Sequence, residues 1–171
     1  MKILITGSEG FIAKNIIKTL KRDNIQVIGI HKNRKQSRLV YNSIRHDLTE
    51  RLSIKKIVTK KIDILIHLAE TTTHSEIEKT KDFDKKSTKI AQNTLQLFQK
   101  LKGKHFIYAS SGKIYGDVDD KIITVKTKPK PMNKLGKIKL KIEKLIQNDL
   151  YIKKKKLNIM RIFNVYGKNQ K

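Results

Sequence analysis

The chain has 171 residues, a length that suits one domain with a buried core. It contains no cysteine, which excludes disulfides, thiolate chemistry and any metal site built on cysteine. The 40 Lys and Arg residues outnumber the 15 Asp and Glu residues, and the resulting formal charge of +25 favours anionic ligands through long-range attraction.

Short β-branched runs alternate with longer amphipathic stretches along the chain, which is typical of βαβ units in a parallel sheet. The predicted strands are Lys2–Thr6, Ile25–Ile30, Ile44–His46, Asp63–His67, Lys104–Ala109 and Leu157–Phe163. The predicted helices are Gly10–Arg22, Thr49–Lys60, Phe83–Leu101 and Asn133–Leu150. This order predicts an α/β fold of Rossmann type, a doubly wound parallel sheet with helices on both faces, in a single domain over residues 1–171.

The turn between the first strand and the first helix is built from small residues. Gly7 permits a tight turn out of the strand, Gly10 lets the backbone approach a pyrophosphate, and Ala13 lets the helix pack closely on the sheet. Backbone N–H groups at the helix start, from Phe11 and Ile12 onward, would face the phosphate charges with the help of the helix dipole. The pattern predicts a dinucleotide site; an ordinary strand–turn–helix connection is the alternative.

The end of the second strand carries cations where such sites usually have a carboxylate for the adenosine ribose. His31 takes that place, and Lys32, Arg34, Lys35 and Arg38 follow. A carboxylate would repel a 2′-phosphate, whereas Lys or Arg would accept it. The predicted cofactor is therefore NAD or NADP, with NADP slightly favoured; a general abundance of lysine is the alternative explanation of these cations.

The positive charge also raises the possibility of a nucleic-acid partner, because Lys and Arg neutralise phosphates. However, the lysines are spread over every segment, and the longest run, Lys153–Lys156, is not interleaved with aromatic residues that could stack on bases. Lysine overuse throughout the chain is favoured, and we expect nucleic acid not to be the partner.

The apolar runs are short. Ile3–Ile5 is too short for the core of a signal peptide, and no later run is long enough to span a bilayer. We expect no membrane partner and a cytoplasmic location.

Six segments follow one another along nearly the whole chain: ILITGSEGFIAKNI, HDLTE, DILIHLAE, FIYASSGKIYGD, PMNKLGKIKLKIEKL and RIFNVYGKNQ. In this order they resemble the motifs of the extended short-chain dehydrogenase/reductase family, also known as the NAD-dependent epimerase/dehydratase family. The resemblance implies cofactor contacts from Asp47 and Leu48 on the adenine side and from Leu68 and Ala69 after the fourth strand.

Family members carry a further substrate-binding region after the last of these segments, and we expect this chain, which stops at Lys171, to lack it. Apolar surface that this region would cover is then expected to be exposed or to pair with another chain.

The resemblance implies hydride exchange between a sugar carbon and nicotinamide. A Tyr moves the hydroxyl proton, a Ser orients that hydroxyl, and a Lys four residues after the Tyr holds the ribose. Ser111 matches the Ser and Lys139 the Lys, but the Tyr position is Leu135, and neither Tyr115 nor Tyr166 has a Lys four residues on. Leucine cannot carry a proton, and losing a general base costs about 10²–10⁴ in rate.

Structural roles are the alternative for these three residues. Lys139 would then be a surface lysine, Ser111 a hydroxyl that caps local backbone, and Leu135 a plain apolar residue of the helix.

The sequence therefore predicts an NAD(P)-binding protein that resembles nucleotide-sugar epimerases and dehydratases and is weakly active or inactive. One alternative is an active NAD(P)-dependent sugar-nucleotide epimerase, dehydratase or reductase; another is a non-catalytic interaction module. The expected partners are a nicotinamide dinucleotide, a nucleotide sugar, and a second copy that pairs through the helices near Phe83–Leu101 and Asn133–Leu150.

Overall fold

A computed structural model describes residues 1–23, 25–32, 42–53, 55, 57, 61–70, 77, 81–118 and 122–167. The strands are β1 (Lys2–Thr6), β2 (Gln26–His31), β3 (Asn42–Arg45), β4 (Ile64–His67), β5 (His105–Ser111) and β6 (Lys156–Ile162). The longer α-helices in these ranges are α1 (Phe11–Arg22), α2 (Phe83–Lys100) and α3 (Lys134–Asn148), and short 3₁₀ helices cover Gly112–Tyr115 and Ile152–Lys154. These strands and helices agree with the predicted ones to within two residues at each end.

The predicted helix at residues 49–60 does not begin where the sequence suggested. Residues 49–53 form a turn followed by irregular chain, and residues 54, 56 and 58–60 lie outside the described residues. The Asp47 carboxylate accepts hydrogen bonds from both the backbone N–H and the hydroxyl of Thr49, at 2.9 Å each. Such a local side-chain bond favours a turn over a helix, which accounts for the difference.

All six strands are parallel, in the order β3-β2-β1-β4-β5-β6. Thr6 at the end of β1 lies level with Ile30 on one side and His67 on the other. The carboxyl ends of the strands therefore meet at one edge of the sheet. The strand order reverses between β1 and β4, and ligands of such sheets bind in the crevice at that point.

The core has two layers because side chains alternate across the sheet. Ile3 and Ile5 of β1 pack with Ala13 and Ile17 of α1 on one face. Leu4 faces the opposite side, where α2 and α3 pack against the sheet. This arrangement confirms the doubly wound α/β fold.

β6 is an edge strand of the sheet. Met160 on this strand, and Phe163 and Tyr166 after it, are exposed. Exposed apolar surface was expected near this end of the chain. Within the described ranges, no helix is long and apolar enough to cross a membrane.

Candidate functional site

The turn after β1 requires glycine at position 7. Gly7 has a positive φ of 69°, and a Cβ at this position would lie 2.9 Å from the Cα and N atoms of Ala69. Two backbone hydrogen bonds hold the turn, from Ser8 N–H to the Ile30 carbonyl at 3.1 Å and from Gly10 N–H to the Gly7 carbonyl at 2.9 Å. The turn is therefore pressed against the end of β4, where any larger residue would clash or be strained.

The start of α1 offers unpaired donors to a ligand. Gly10 is the N-cap and supplies no side-chain cap, and the first helical bond runs from Lys14 N–H to the Gly10 carbonyl. The N–H groups of Phe11 and Ile12 have no acceptor among the described residues. The Ser8 hydroxyl oxygen is also buried, and it has no hydrogen-bond partner among the residues that the structure describes. These donors and the two glycines fit a diphosphate.

The end of β2 brings His31 and Lys32 beside Asp47. His31 is buried, whereas Lys32 is exposed and its ammonium lies 2.8 Å from the Asp47 carboxylate. Partial burial acts to raise the pKa of Asp47, but the hydrogen bonds from Lys32 and Thr49 outweigh it and lower that pKa to about 2. Asp47 is thus an ionised carboxylate held beside the end of β2. Arg34, like the two cations after it, lies outside the described residues.

Leu48 is a core residue. Its side chain is buried in the layer that faces α2 and α3, and its carbonyl accepts a hydrogen bond from the Asn93 side chain at 2.8 Å. The structure thus anchors the loop after β3 to α2.

The end of β4 is organised by the Thr6 hydroxyl. Its oxygen accepts hydrogen bonds from Leu68 N–H and Ala69 N–H at 3.2 Å each, and lies 2.7 Å from His67 Nδ1. Because the oxygen already accepts twice, we assign its own proton to Nδ1 and the ring proton of His67 to Nε2. Burial, and after it the charge of Lys139, lowers the pKa of His67 to about 3. His67 is therefore neutral, and Leu68 and Ala69 are held against the Gly7 turn.

Lys139 is buried, so the alternative of a surface lysine is wrong. Its ammonium donates to the Ala109 carbonyl at 2.9 Å, lies 3.8 Å from the Glu70 carboxylate and sits 5.0 Å from the centre of the Tyr108 ring. Burial lowers the pKa of Lys139, and the charges of Glu70 and Glu143 act in the opposite direction. Lys139 thus lies beside the carboxyl end of β5.

Ser111 and Leu135 both have structural roles. The Ser111 hydroxyl oxygen accepts from Lys113 N–H at 3.2 Å and so caps the 3₁₀ helix that follows β5. Leu135 is partly buried against the main core, one turn before Lys139 on α3. Ser111 also lies two residues after Ala109, so the structure brings it to the same end of β5 as Lys139.

The residues that sequence reasoning missed form a second polar cluster. Glu143 is buried; it accepts from the Ser110 hydroxyl and pairs with Arg161, whose Nη2 lies 2.8 Å away. Arg161 also donates to the Tyr115 hydroxyl at 2.8 Å. The hydrogen bonds that Arg161 donates to the Glu143 carboxylate raise the pKa of Arg161 still further above its usual range. The quoted segments contained each of these residues, but only the fold shows that they meet.

This cluster borders a groove of about 540 Å³ near β6, whose lining includes Tyr115, Arg161 and Phe163. The groove does not include the Gly7–Gly10 turn. We place the candidate dinucleotide site at the turn because unpaired donors occur there, whereas Arg161 and Glu143 in the groove satisfy each other. The segment after β6 does approach the turn: a Cβ at Gly167 would lie 3.3 Å from the Phe11 ring.

A comparison with protein families decides the assignment. The NAD dependent epimerase/dehydratase family matches residues 3–171. The chain belongs to this family. The resemblance that the six segments suggested is therefore confirmed.

Known members resemble this epimerase/dehydratase-family chain over nearly its whole length. Human dTDP-D-glucose 4,6-dehydratase is 27% identical over an alignment 187 residues long. The alignment covers 99% of this chain and 52% of the human protein. A crystal structure of UDP-glucose 4-epimerase is 25% identical with a TM-score of 0.83, covering 96% of this chain and 52% of that one. The Thermus thermophilus UDP-glucose 4-epimerase, solved as a complex with NAD, has a TM-score of 0.86 at 21% identity. The match covers 100% of this chain and 58% of the Thermus thermophilus chain. The chain thus spans about half the length of these relatives.

Proposed function

We propose that the chain binds a nicotinamide dinucleotide across the carboxyl edge of its sheet, with the diphosphate on the N–H groups of Phe11 and Ile12. The observation that carries this proposal is the Gly7–Gly10 turn, whose backbone leaves these donors unpaired beside the switch point of the sheet. Family membership and the NAD named in the Thermus thermophilus complex support it. The high positive charge would draw the anionic ligand toward the protein.

Asp47, Leu48 and His31 are proposed to form the adenosine side of the site, together with Arg34, while Leu68 and Ala69 flank the diphosphate. The preference for NADP over NAD stays a prediction based on the cations after β2. The contact between Lys32 and Asp47 already engages the first of these cations. Titration with both dinucleotides tests the preference, and tighter binding of NAD would contradict it.

The activity proposed for this chain is weak or absent turnover of a nucleotide sugar. A bound nicotinamide supplies hydride exchange. Of the side chains that would assist it, Ser111 would orient a substrate hydroxyl and Lys139 a ribose hydroxyl. Leu135 occupies the position proposed for the proton-transferring Tyr, and its packing against the core gives it an apolar role. A non-catalytic, dinucleotide-binding module is consistent with the same features.

Isothermal titration calorimetry with NAD⁺ and with NADP⁺ tests the binding. We expect saturable binding of at least one of them. In Gly10→Ala the affinity should fall at least tenfold, because the added Cβ takes up space that the phosphates need to reach the backbone. Asn148→Ala, at the exposed end of α3, is the matched control and should bind as the native chain does. Absence of heat with both ligands at high micromolar concentration would refute the proposal.

Incubation with dTDP-glucose or UDP-glucose and NAD⁺ tests the activity. We expect weak or no turnover by the native chain, and compare it with Leu135→Tyr, which restores a proton-carrying group one turn before Lys139. Clear turnover by the native chain would show that Leu135 does not prevent catalysis.

Two further expectations also stay proposals. Residues 1–171 are proposed to act as one domain, and two copies are proposed to pair through α2 and α3. Light scattering over a range of concentrations tests the second, since a mass that stays at one chain would contradict it.

A further inference from the structure

The Lys139 ammonium lies among polar groups near the carboxyl ends of β4 and β5. It donates to the Ala109 carbonyl at 2.9 Å, and it lies 5.0 Å from the centre of the Tyr108 ring and 3.8 Å from the Glu70 carboxylate. An ammonium group has three N–H donors. Since the Ala109 carbonyl takes one of them, Lys139 keeps donors for a ligand hydroxyl.

Glu70 is held in place from its other side. Its Oε1 accepts from the Ser87 hydroxyl of α2 at 2.8 Å, and its Oε2 is the atom that lies 3.8 Å from the Lys139 ammonium. The side chains of Lys139 and Glu70 are only 6% and 5% exposed, so water screens their attraction little. The carboxylate thus links α2 to the ammonium on α3.

The other carboxylate near Lys139 is engaged elsewhere. Glu143, one turn further along α3, accepts from the Ser110 hydroxyl and from Arg161, whose Nε and Nη2 lie 3.1 Å and 2.8 Å from its oxygens. In the part of the chain that the structure describes, Glu70 is the carboxylate within ion-pair distance of Lys139. Burial lowers the pKa of Lys139, and the charge of Glu70 opposes this effect ahead of the charge of Glu143.

We propose that Glu70 is a positioning residue, whose carboxylate keeps the Lys139 ammonium charged and in place to hold the second ribose of the dinucleotide, the one that carries nicotinamide. This inference rests on the proposed dinucleotide site and names the side chain on which the ribose contact of Lys139 depends. A buried amine without a nearby carboxylate loses its proton more easily, and a neutral amine forms weaker hydrogen bonds than an ammonium. Glu70 therefore acts through Lys139 and does not itself touch the ligand.

Two further titratable groups face Lys139 from the sheet, His67 on β4 and Tyr108 on β5. Burial, and after it the charge of Lys139, lowers the pKa of His67 to about 3. Burial, and after it the charges of Glu70 and Glu143, raises the pKa of Tyr108 above its usual range. Neither group changes its charge between about pH 7.5 and about pH 9, so a change of the ribose contact in this range reports on Lys139.

Calorimetric titrations of the full chain with NAD⁺ and with ADP measure this contact, because ADP shares the adenosine and the diphosphate but lacks the second ribose. We define the ribose preference as the dissociation constant of ADP divided by that of NAD⁺. In the native chain it should stay within about twofold between about pH 7.5 and about pH 9. In Glu70→Gln, whose amide still accepts from Ser87 but carries no charge, it should fall about tenfold, and further at the higher pH. A ribose preference that is unchanged in Glu70→Gln at both pH values would overturn the proposal.

Two control variants separate the charge of Glu70 from its packing. Glu70→Asp restores a carboxylate and should recover most of the native ribose preference. Asp63→Asn removes an exposed pair with Lys104 at the opposite end of β4 and should leave the preference unchanged. A purely structural role of Glu70, which would contradict the proposal, would weaken both ligands equally at both pH values.

Ser87→Ala decides the question if Glu70→Gln does not fold. It keeps both charges but removes the hydroxyl that holds the Glu70 carboxylate, so the ribose preference should fall about threefold. An unchanged preference in Ser87→Ala would then overturn the proposal.

The outcomes also separate this proposal from the one on which it rests. If the native chain binds none of ADP, NAD⁺ and NADP⁺, the dinucleotide site itself is refuted. If these ligands bind and Glu70→Gln keeps the native ribose preference, the site stands and only the role of Glu70 fails.

Discussion

Gly7 and Gly10 lie in the same turn but meet different physical demands. Gly7 has a left-handed backbone and no room for a Cβ, whereas Gly10 has an ordinary φ of −70° and a Cβ there would lie 3.2 Å from the Gly7 carbonyl. The fold therefore requires the first glycine, whereas the role proposed for the second is to let the ligand approach.

Gly7→Ala should lower the free energy of unfolding by about 1–3 kcal/mol, because a residue with a Cβ is strained at positive φ. Gly10→Ala should lower it by less than about 1 kcal/mol while weakening dinucleotide binding. Urea denaturation followed by circular dichroism measures both values. Equal losses in the two variants would contradict this division of roles.

His67 makes the stability depend on pH. Its folded-state pKa of about 3 lies below the ordinary value of 6.5, so protonation favours the unfolded chain. The stabilisation from neutral His67 is complete at pH values above its ordinary pKa of 6.5. It is lost as the pH falls from 6.5 toward the folded-state pKa of about 3. The window in which it changes is therefore mildly acidic.

The free energy of unfolding should fall by about 2 kcal/mol between pH 7 and pH 5 because of His67. His67→Asn, which keeps an acceptor for the Thr6 hydroxyl, should remove most of this slope in urea denaturation. His105→Asn, at the start of β5, is the control. A slope that survives in His67→Asn would show that another group is responsible.

Among the secondary-structure elements, helix α3 positions the buried charged side chains Lys139 and Glu143. Its N-cap, Asn133, accepts from Gly136 N–H at 2.8 Å, and its inner face carries Lys139 and Glu143 into buried pairs. The helix thus connects the carboxyl ends of β4, β5 and β6 through side chains that are distant in sequence.

Asn133→Ala should lower the free energy of unfolding by about 1 kcal/mol, the usual cost of losing an N-cap. Thermal and urea denaturation measure this loss. Asn148→Ala, at the opposite end of the same helix, should cost less, since it removes no cap bond. A loss in Asn133→Ala no larger than in that control would mean that the cap does not stabilise α3.

The whole molecule carries a charge of +25, and salt should act on its stability and its binding in opposite directions. Screening weakens the repulsion among the cations of the folded chain, so the melting temperature should rise with NaCl. Screening also weakens the attraction of anionic ligands.

We expect the dissociation constant for NADP⁺ to rise several-fold between about 50 mM and about 500 mM NaCl. Calorimetry measures the constant and differential scanning fluorimetry the melting temperature. The uncharged nucleoside adenosine is the control ligand, and its binding should change little. A salt-independent constant for NADP⁺ would argue against steering by the net charge.

A structural feature of this protein is predictable from sequence when the residues that determine it are close together in the chain. The six strands, the helices α1, α2 and α3, and the Gly7 turn were predicted because hydrophobic period and turn chemistry act between close neighbours in sequence. The helix expected at residues 49–60 was misjudged at its start, because its periodicity did not reveal the Asp47–Thr49 turn.

By itself, the sequence determined the fold class and the glycine turn after β1, and it predicted a role in diphosphate binding for that turn and the substitution of Leu135 for the family's tyrosine. Only the tertiary structure decided which groups face one another: Lys139 with Glu70, and Arg161 with Glu143. The reason is physical. A charged side chain at the end of a strand or on the face of a helix meets its partner only when elements far apart in sequence pack together. For this reason the sequence does not reveal that Lys139 is buried beside a carboxylate.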